Sequence, residues 1–249
     1  MSKPLTSRVA VVTGSSNGIG AAIAKAFAAA GAAVIVNYNS GKAQADNVVA
    51  SIIGAGGKAV AVGADVSKIL QAKSLVDAAV EHFGRLDILV NNAGVSSFTP
   101  IESVTEEQYR RTYDINVLGP ILTIQAALVY LGEGASIINI GSLVTEFAPS
   151  GTVLYTGTKC AVDGLTSVLA NELGPRGIRV NSLKPGMVAS ENTIAAGVPE
   201  SDFGKAVIAQ TPLGRIGQPG DIADVAVFLA SNGSRWITGA HLQAAGGFK

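Results

Sequence analysis

Charge and long apolar runs are both scarce in this sequence. Charged residues make up 14% of the 249 residues, and 18 basic side chains balance 18 acidic ones. Because no basic tract stands out, nucleic acid is not an expected partner. No uninterrupted apolar run reaches the ~18 residues of a membrane-spanning helix, and the opening MSKPLTSRVA lacks the apolar stretch of a secretory signal. These absences predict a soluble, cytoplasmic protein that does not enter a membrane.

Cysteine and histidine are also rare. The single cysteine, Cys160, excludes an internal disulfide, and the two histidines, His82 and His241, have no neighbours at metal-ligand spacing. We therefore expect a reducing compartment and no protein-built metal site. The segment KCAVDGL around Cys160 is typical of a packed helix, which predicts a buried thiol that acts as a small hydrophobic residue.

Apolar residues, at 48% of the chain, are plentiful enough for a large core. Strands are predicted at RVAVVT, AAVIVNY, KAVAVGADV, LDILVNNAG, SIINIGS, GIRVNSLKPG and HLQAAGG, with helical patterns between them. Nearly continuous apolar strands joined by helices indicate a parallel sheet covered on both faces. The sequence thus predicts an α/β fold in one domain, 1–249, with a single doubly wound parallel sheet of about seven strands.

Two segments depart from this rhythm. A long helical stretch from Glu106 to about Leu131 is interrupted by Gly119 and Pro120. Residues 187–210 carry weak helical signals and follow the end of a strand, where such sheets bind ligands. A long irregular segment in this position is typical of a lid over a substrate. The alternative is a mobile surface loop.

The segment TGSSNGIG joins the first strand to the first helix. Gly14, Gly18 and Gly20 permit a tight turn and let the backbone approach a pyrophosphate at the helix N-terminus. Their spacing differs from the common G-x-G-x-x-G fingerprint of dinucleotide-binding proteins. Taken alone, the glycines could serve only to form the turn.

The segment YTGTK places Tyr155 and Lys159 four residues apart at the start of an apolar helix. One helical turn is about 3.6 residues, so both side chains fall on the same face and can touch the same small molecule. Taken alone, the pair could equally be a core aromatic residue and a solvated charge.

These motifs gain meaning as an ordered set. TGSSNGIG, NNAG, Ser142, YTGTK and KPG occur in the order and at the separations of the short-chain dehydrogenase/reductase family, which this chain resembles over essentially its whole length. The resemblance implies a Rossmann fold and oxidation or reduction at a C–OH or C=O group with a nicotinamide cofactor. Everything said next about residue roles is what this resemblance implies.

Four positions match the family's catalytic residues: Asn116, Ser142, Tyr155 and Lys159. In the family's mechanism the tyrosine donates a proton during reduction, and the lysine lowers the tyrosine pKa and binds the nicotinamide ribose. The serine holds the substrate oxygen, and the asparagine positions a water that links the lysine to solvent.

A larger set matches cofactor-binding positions. It comprises Gly14, Ser16, Asn17, Gly18, Ile19, Gly20, Asn37, Tyr38, Asn39, Ser40, Asp65, Val66, Asn91, Ala93, Gly94, Tyr155, Lys159, Pro185, Gly186, Val188 and Ser190. Two of these have a purely structural alternative, since Asp65 could cap the helix near Ser67 and Asn91 could merely hold adjacent strands together. The substrate is expected to meet mostly apolar side chains: Val95, Ser96, Phe98, Leu143, Val144, Thr145, Phe147 and Met187.

The end of the second strand bears on the choice of cofactor. An acidic residue there would bind the adenine ribose and repel a 2′-phosphate. This chain has Asn37, followed by Tyr38, Asn39 and Ser40, and the missing carboxylate predicts NADP(H). Many NADP-preferring relatives carry a basic residue just before the second turn glycine, whereas this chain has Asn17, so NAD(H) stays open.

The resemblance implies NADPH-dependent reduction of a small ketone or aldehyde to an alcohol, with Tyr155 as proton donor. Three alternatives stay open: an NAD-dependent alcohol or sugar dehydrogenase, a 3-oxoacyl-thioester reductase, and a nucleotide-sensing regulatory protein on the same fold. Family members commonly form tetramers through helices that here contain residues 116–130 and 155–173, together with the C-terminal strand. A homotetramer is therefore expected.

Overall fold

The computed structural model describes residues 3–249 and contains one sheet of seven parallel strands. The strands are β1 (Val9–Val12), β2 (Ala33–Tyr38), β3 (Lys58–Gly63), β4 (Ile88–Asn91), β5 (Ser136–Ile140), β6 (Arg179–Pro185) and β7 (His241–Ala244). Their order across the sheet is β3-β2-β1-β4-β5-β6-β7. The predicted α/β fold with a parallel, doubly wound sheet is confirmed.

Both faces of the sheet are buried, which explains why strand β1 is apolar throughout. In β1, Val9 and Val11 point into one core while Ala10 and Val12 point into the other. Successive side chains of a strand face opposite sides, so a strand covered on both sides needs apolar residues at every position.

Residues 3–249 contain ten α-helices, six of which pack on the two faces of the sheet. They are α1 (Gly18–Ala29), α2 (Lys42–Gly54), α3 (Ile69–Phe83), α4 (Glu106–Tyr113), α5 (Gly119–Ala127), α6 (Val144–Phe147), α7 (Val153–Leu173), α8 (Glu191–Ala195), α9 (Asp202–Gln210) and α10 (Pro219–Ala230). Helices α1, α2 and α10 bury apolar residues in one core, and α3, α5 and α7 do so in the other. None of the helices in this part of the chain combines the length and the hydrophobicity needed to span a bilayer.

The predicted interruption of the long helical stretch lies a few residues before Gly119 and Pro120. A π-helical turn, Asp114–Leu118, separates α4 from α5. Pro120 occupies the first turn of α5, a position where a missing backbone N–H costs little. A π-turn inserts an extra residue into the helix and is frequent at functional sites.

The segment predicted as a lid, 187–210, contains the two short helices α8 and α9. The Ser201 hydroxyl caps α9 by accepting a hydrogen bond from the Gly204 N–H at 3.1 Å. Seven residues of this segment, Met187, Val188, Ser190, Thr193, Val198, Phe203 and Val207, line a cavity at the carboxyl ends of the strands.

The strand order creates the opening for that cavity. The chain runs from β1 outward to β2 and β3, then crosses back so that β4 lies on the other side of β1. At such a reversal the connections leave β1 and β4 in opposite directions, and a crevice opens beyond their carboxyl ends.

Candidate active site

A cavity of about 750 Å³ lies in this crevice and brings most of the predicted site residues together. All the positions matched to cofactor, substrate or catalysis line it, with three exceptions: Asn91, Asn116 and Thr145. Residues from almost the whole chain, from Gly14 to Phe248, contribute to its wall.

The turn between β1 and α1 forms one end of the cavity and leaves no room for a Cβ at Gly14 or Gly20. Gly14 and Gly18 have φ values of +59° and +56°, in the left-handed region that favours glycine. A Cβ on Gly20 would lie 2.4 Å from Asn92 Nδ2 and 2.6 Å from the Gly14 carbonyl oxygen. The glycines are therefore required by the close approach of the backbone, beyond the needs of a simple turn.

An anion already lies at the N-terminus of α1. Asn17 provides no side-chain cap, and the Gly18 N–H donates a 2.9 Å hydrogen bond to Glu191 Oε2, a carboxylate of α8. Free N–H groups and the helix dipole make a helix N-terminus attractive to carboxylates and phosphates alike. Glu191 thus links the segment 187–210 to the phosphate-type turn through the same chemistry that a dinucleotide would use.

Neutralising Glu191 is expected to strengthen cofactor binding. A carboxylate at Gly18 competes with or repels a phosphate at the same turn, so Glu191→Gln should lower the Kd for NADPH about two- to fivefold. Fluorescence titration at low ionic strength measures this change, and added salt should reduce it. Glu200→Gln, at an exposed position of the same segment, is the matched control. Weaker binding by the Glu191 variant would instead mean that this carboxylate holds the segment closed over the cofactor.

Asn37 lines the cavity, but its side chain is engaged in hydrogen bonds within the protein, and its predicted role in cofactor binding stays a prediction. The residue is 1% exposed. Its Oδ1 accepts from the Gly14 N–H, and its Nδ2 donates to carbonyl oxygens including that of Ala64. Asn37 therefore joins the β1 turn to the neighbouring strands, and the exposed side chains after it, Asn39 and Ser40, are the ones free to meet the ribose.

Asn91 lies behind the cavity wall, and the structural alternative describes it. Its Nδ2 donates to Asn139 Oδ1 at 2.9 Å, and its Oδ1 accepts from Thr123 at 2.7 Å, joining β4, β5 and α5. The next residue, Asn92, lines the cavity and donates to the carbonyl oxygens of Thr13 and Gly14. The motif NNAG marks the right place, but alternation along the strand decides which asparagine faces the cavity.

Asp65 does not cap α3, whose N-cap residue is Lys68, and its predicted contact with adenine stays a prediction. It lines the cavity next to Val66, and its Oδ1 accepts hydrogen bonds from the backbone and the hydroxyl of Ser67. The side chain therefore shapes the turn that leads towards α3 while bordering the cavity.

Asn116 reaches the site indirectly, from the π-helical turn. The buried amide accepts from the Val95 N–H and donates to the Val95 carbonyl oxygen, both at 2.8 Å. It also donates to Thr158 Oγ1 at 3.1 Å, one residue before Lys159. Asn116 thus fixes the loop after β4 against α7, and its predicted role in positioning a water stays a prediction.

The other three candidates meet on the cavity wall. Ser142 follows β5, and Tyr155 and Lys159 project from α7. Lys159 Nζ donates to the Ile140 carbonyl oxygen at 2.7 Å and lies 5.7 Å from the centre of the Tyr155 ring. The lysine is buried, and burial lowers its pKa to about 8, against the opposing effect of Asp163.

The pKa of Tyr155 runs against the effect expected from its lysine neighbour. Burial raises this pKa above its usual value, and a hydrogen bond with Ser142 opposes the shift. In the protein alone, the hydroxyl is therefore protonated at neutral pH. That is the form a proton donor needs; lowering the pKa for the reverse reaction would require further positive charge in the cavity.

A network of charged side chains around the buried Lys184, which the sequence does not reveal, lies beside the site. Lys184, at the end of β6, contacts Glu146 of α6 and lies 3.3 Å from Asp163 of α7. Asp163 in turn accepts from Ser182 and pairs with His241 at 3.2 Å. The network joins the segment that carries Val144 and Phe147 to the sheet.

The far end of the cavity is apolar and rich in phenylalanine. Phe98 and Phe147, both expected there, are joined by Phe203 of α9 and Phe248 near the C-terminus, which sequence reasoning missed. Lys159 is the only charged residue on the cavity wall apart from Asp65, among the residues that the structure describes.

The expectation of a buried thiol is wrong, because Cys160 is exposed on the outer side of α7. Lys159 and Cys160 are adjacent, and a step of about 100° around the helix axis turns one into the cavity and the other away from it. Within residues 3–249, no three metal-ligating side chains cluster as a metal site would require.

Comparisons with known proteins agree with this geometry. Residues 14–249 match a family model described as enoyl-(acyl carrier protein) reductase. An uncharacterized oxidoreductase of Methylorubrum extorquens is 59% identical over 249 residues, covering all of both chains. A hydroxynaphthalene reductase-like protein of Metarhizium majus is 38% identical, covering 98% of this chain and 96% of the relative.

A solved structure matches the fold closely. The short chain dehydrogenase from Burkholderia cenocepacia, crystallised in complex with NADP, superposes with a TM-score of 0.92 at 37% identity and covers 98% of each chain. Similarity in sequence and in structure therefore extends over nearly the whole protein, including every motif that carries the resemblance. The chain belongs to the short-chain dehydrogenase/reductase family and is an NAD(P)-dependent oxidoreductase.

Proposed function

We propose that the protein reduces a ketone or aldehyde to the corresponding alcohol with NADPH, and that Tyr155 donates the proton. The observation that carries the proposal is the meeting of Ser142, Tyr155 and Lys159 on one wall of a cavity whose other end is a glycine turn at a helix N-terminus.

The residues present fit a nicotinamide dinucleotide. The turn at Gly14 and Gly20 excludes any Cβ, and the Gly18 N–H already holds an anionic oxygen, as a pyrophosphate site should. Residues 14–20 would hold the phosphates, Asp65 and Val66 would border the adenine, and Pro185 with Gly186 would border the nicotinamide. Lys159, which lines the cavity, would bind the nicotinamide ribose.

The protein's own groups manage the charge that develops on the substrate oxygen. When bound, the cofactor supplies the hydride. Ser142 donates a hydrogen bond to the carbonyl oxygen, and Tyr155 transfers its phenolic proton to that oxygen as the alcohol forms. The ammonium of Lys159, held by the Ile140 carbonyl oxygen, stabilises the phenolate left behind. The apolar wall around them keeps water out and strengthens these interactions.

The preference for NADP(H) rests on the surface beyond β2. Asn39 and Ser40 are exposed neutral donors there, and the position at the end of the strand carries no carboxylate. Lys42 does not supply a free positive charge, because it pairs with Asp46 at 2.7 Å. A 2′-phosphate would thus be bound by neutral donors, so NADPH is favoured while NADH is also used. The NADP in the related Burkholderia structure supports this assignment.

Asn39→Asp is expected to reverse the cofactor preference. The substitution keeps the shape of an exposed side chain and adds a negative charge where the 2′-phosphate would lie. Repulsion of about 1.4 kcal/mol would raise the KM for NADPH about tenfold and leave the KM for NADH nearly unchanged. Steady-state kinetics with both cofactors measures the change. Equal effects on both cofactors would place the 2′-position away from Asn39.

The test of the overall proposal is NADPH and NADH consumption by purified protein over a substrate panel. The panel should contain ketones, diketones, aldehydes, a 3-oxoacyl thioester and an enoyl thioester. Faster NADPH oxidation with ketones or aldehydes supports the proposal, and the product should be the alcohol. Tight cofactor binding without turnover of any carbonyl compound would favour an alcohol- or sugar-oxidising enzyme or a nucleotide sensor.

A homotetramer is part of the proposal. The outer surfaces of α4, the π-turn and α7 expose several large apolar side chains: Tyr109, Leu118, Val153 and Val168. Exposed Cys160 lies on the same helix as the last two. Contact between copies across these helices would bury this surface.

A further inference from the structure

Resting on the proposed function, we infer that the C-terminal segment selects the substrate: Phe248, packed against Phe147, forms an aromatic wall that favours ketones bearing a neutral aromatic ring. The proposal therefore names a specificity-determining residue and a substrate class. It depends on three observations about the apolar end of the cavity.

The first observation is a concentration of aromatic side chains. The chain contains seven phenylalanines, and four of them, Phe98, Phe147, Phe203 and Phe248, line this one cavity. Phe98 is 68% exposed and Phe203 is 48% exposed, although both border a concave site. Large apolar side chains exposed around a cavity favour a ligand that covers them with apolar surface of its own.

The second observation is a backbone turn at Gly246 and Gly247 that places the side chain of Phe248 on the cavity wall. After β7, Gly246 and Gly247 have φ values of +63° and +90°. A Cβ on Gly246 would lie 2.8 Å from Thr211 Cγ2, and one on Gly247 would lie 2.8 Å from Pro212 Cγ. The two glycines let the chain reverse against residues 211–213, and Phe248 becomes 8% exposed in contact with Leu143 and Val207.

The third observation is the geometry of the two rings. The centroids of Phe147 and Phe248 are 5.3 Å apart, and their planes meet at 85°. This edge-to-face arrangement directs ring edges and faces in different directions and leaves surfaces on which a third ring can stack. Phe147 belongs to α6, directly after the Ser142 segment, so the aromatic wall and the carbonyl-binding serine are built on neighbouring residues.

The charges on the wall exclude other substrate classes. Asp65 belongs to the opposite, adenine end, and Lys159 already serves Tyr155, so no described residue at the apolar end could neutralise a carboxylate or phosphate. An anionic substituent would have to leave water without a partner, which is strongly unfavourable. A neutral aromatic ketone has no charge that would have to be transferred from water into the cavity.

Acetophenone and cyclohexyl methyl ketone both carry an acetyl group on a six-membered ring, and comparing each variant with the wild type on the same ketone removes the difference in their intrinsic reactivity. Phe248→Leu is expected to lower kcat/KM for acetophenone about five- to tenfold and to change the value for cyclohexyl methyl ketone less than about twofold. Phe248→Tyr keeps a ring and should preserve the wild-type ratio. Phe228→Leu, on α10 and away from the cavity, is the control for loss of a phenylalanine elsewhere.

The exclusion of negatively charged substrates is tested with two acetophenones that carry a substituent at the ring position opposite the acetyl group. Methyl 4-acetylbenzoate should be reduced at least about tenfold more efficiently than 4-acetylbenzoate. Thermal melts establish that each variant is folded, and the KM for NADPH should be unchanged.

The outcomes separate this inference from the proposed function. Equal losses for the aromatic and the alicyclic ketone, or an unaltered ratio in Phe248→Leu, would overturn the aromatic wall while leaving the reductase intact. An unfolded Phe248→Leu together with a Phe248→Tyr that loses the aromatic preference would also overturn it. Absence of ketone reduction by the wild-type protein would remove the proposed function itself.

Discussion

Tyr155→Phe is expected to lower kcat for ketone reduction about a thousandfold, within the range of about 10² to 10⁴ that a general acid contributes. The variant loses one oxygen atom and keeps the ring, so the packing of α7 changes little. What disappears is the phenolic proton donor beside Ser142 on the cavity wall. Following NADPH absorbance with a ketone identified in the substrate panel measures the loss.

Two controls accompany this measurement. The Kd for NADPH should change less than about twofold, since the cofactor's phosphates are held far from Tyr155. Tyr113→Phe, on α4 and outside the cavity lining, should retain nearly full turnover. A Tyr155→Phe protein that folds and keeps more than about a tenth of the wild-type kcat would rule out the phenol as proton donor.

Lys159→Met is expected to remove activity and yet to stabilise the fold. Without the ammonium the phenolate that forms during reduction is no longer stabilised, and turnover should fall by about two orders of magnitude. The wild-type lysine is buried, and its pKa falls from 10.5 to about 8. Such a shift means that burying the charge destabilises the folded wild-type protein by about 3 kcal/mol at neutral pH. The variant loses the hydrogen bond to the Ile140 carbonyl oxygen, which costs about 1 kcal/mol, so a net gain in stability remains.

The stability effect has a pH dependence of definite sign. Below pH about 8 the lysine is charged in both the folded and the unfolded chain, so the full cost of burial is present. Between about 8 and 10.5 the folded protein has released the proton while the unfolded chain still binds it. The wild-type free energy of unfolding therefore rises, relative to the variant, as the pH rises through this window.

Urea denaturation of both proteins at about pH 7 and about pH 9.5 measures this difference. Lys159→Met should be about 2 kcal/mol more stable at the lower pH, and the gap should nearly close at the higher one. Lys25→Met, at an exposed position of α1, should show no comparable gap. A variant that is less stable than the wild type at neutral pH, or a difference in stability that does not depend on pH, would show that burial of the Lys159 charge does not lower the stability of the wild-type protein.

The sequence alone determined the architecture and indicated the candidate catalytic residues. Apolar runs such as that of β1 and the alanine-rich α1 carry their own secondary-structure signal, because strand and helix periodicities are local properties. The glycine turn is also local, since only glycine tolerates the φ values found at Gly14 and Gly18. Ser142, Tyr155 and Lys159 were identified by resemblance; Ser142 follows β5, and the other two lie in the first two turns of α7.

Side-chain direction was decided by the tertiary structure. Asn37 and Asn91 are polar residues at strand ends, as cofactor contacts often are, yet the side chains of both are hydrogen-bonded to neighbouring segments of the protein. Whether an asparagine serves the fold or the ligand depends on which donors lie beside it, and those donors come from distant parts of the chain.

The same reason explains the features that sequence reasoning missed. Lys184 contacts Glu146, which lies 38 residues away in the sequence, and Phe248 packs against Phe147, which lies about a hundred residues away. Cys160 and Lys159 are adjacent in sequence and face opposite environments, because the sheet covers only one side of α7. Local patterns determine which elements form. Contacts between distant parts of the chain determine which side chains meet, and therefore the shape and charge of the cavity at the carboxyl ends of the strands.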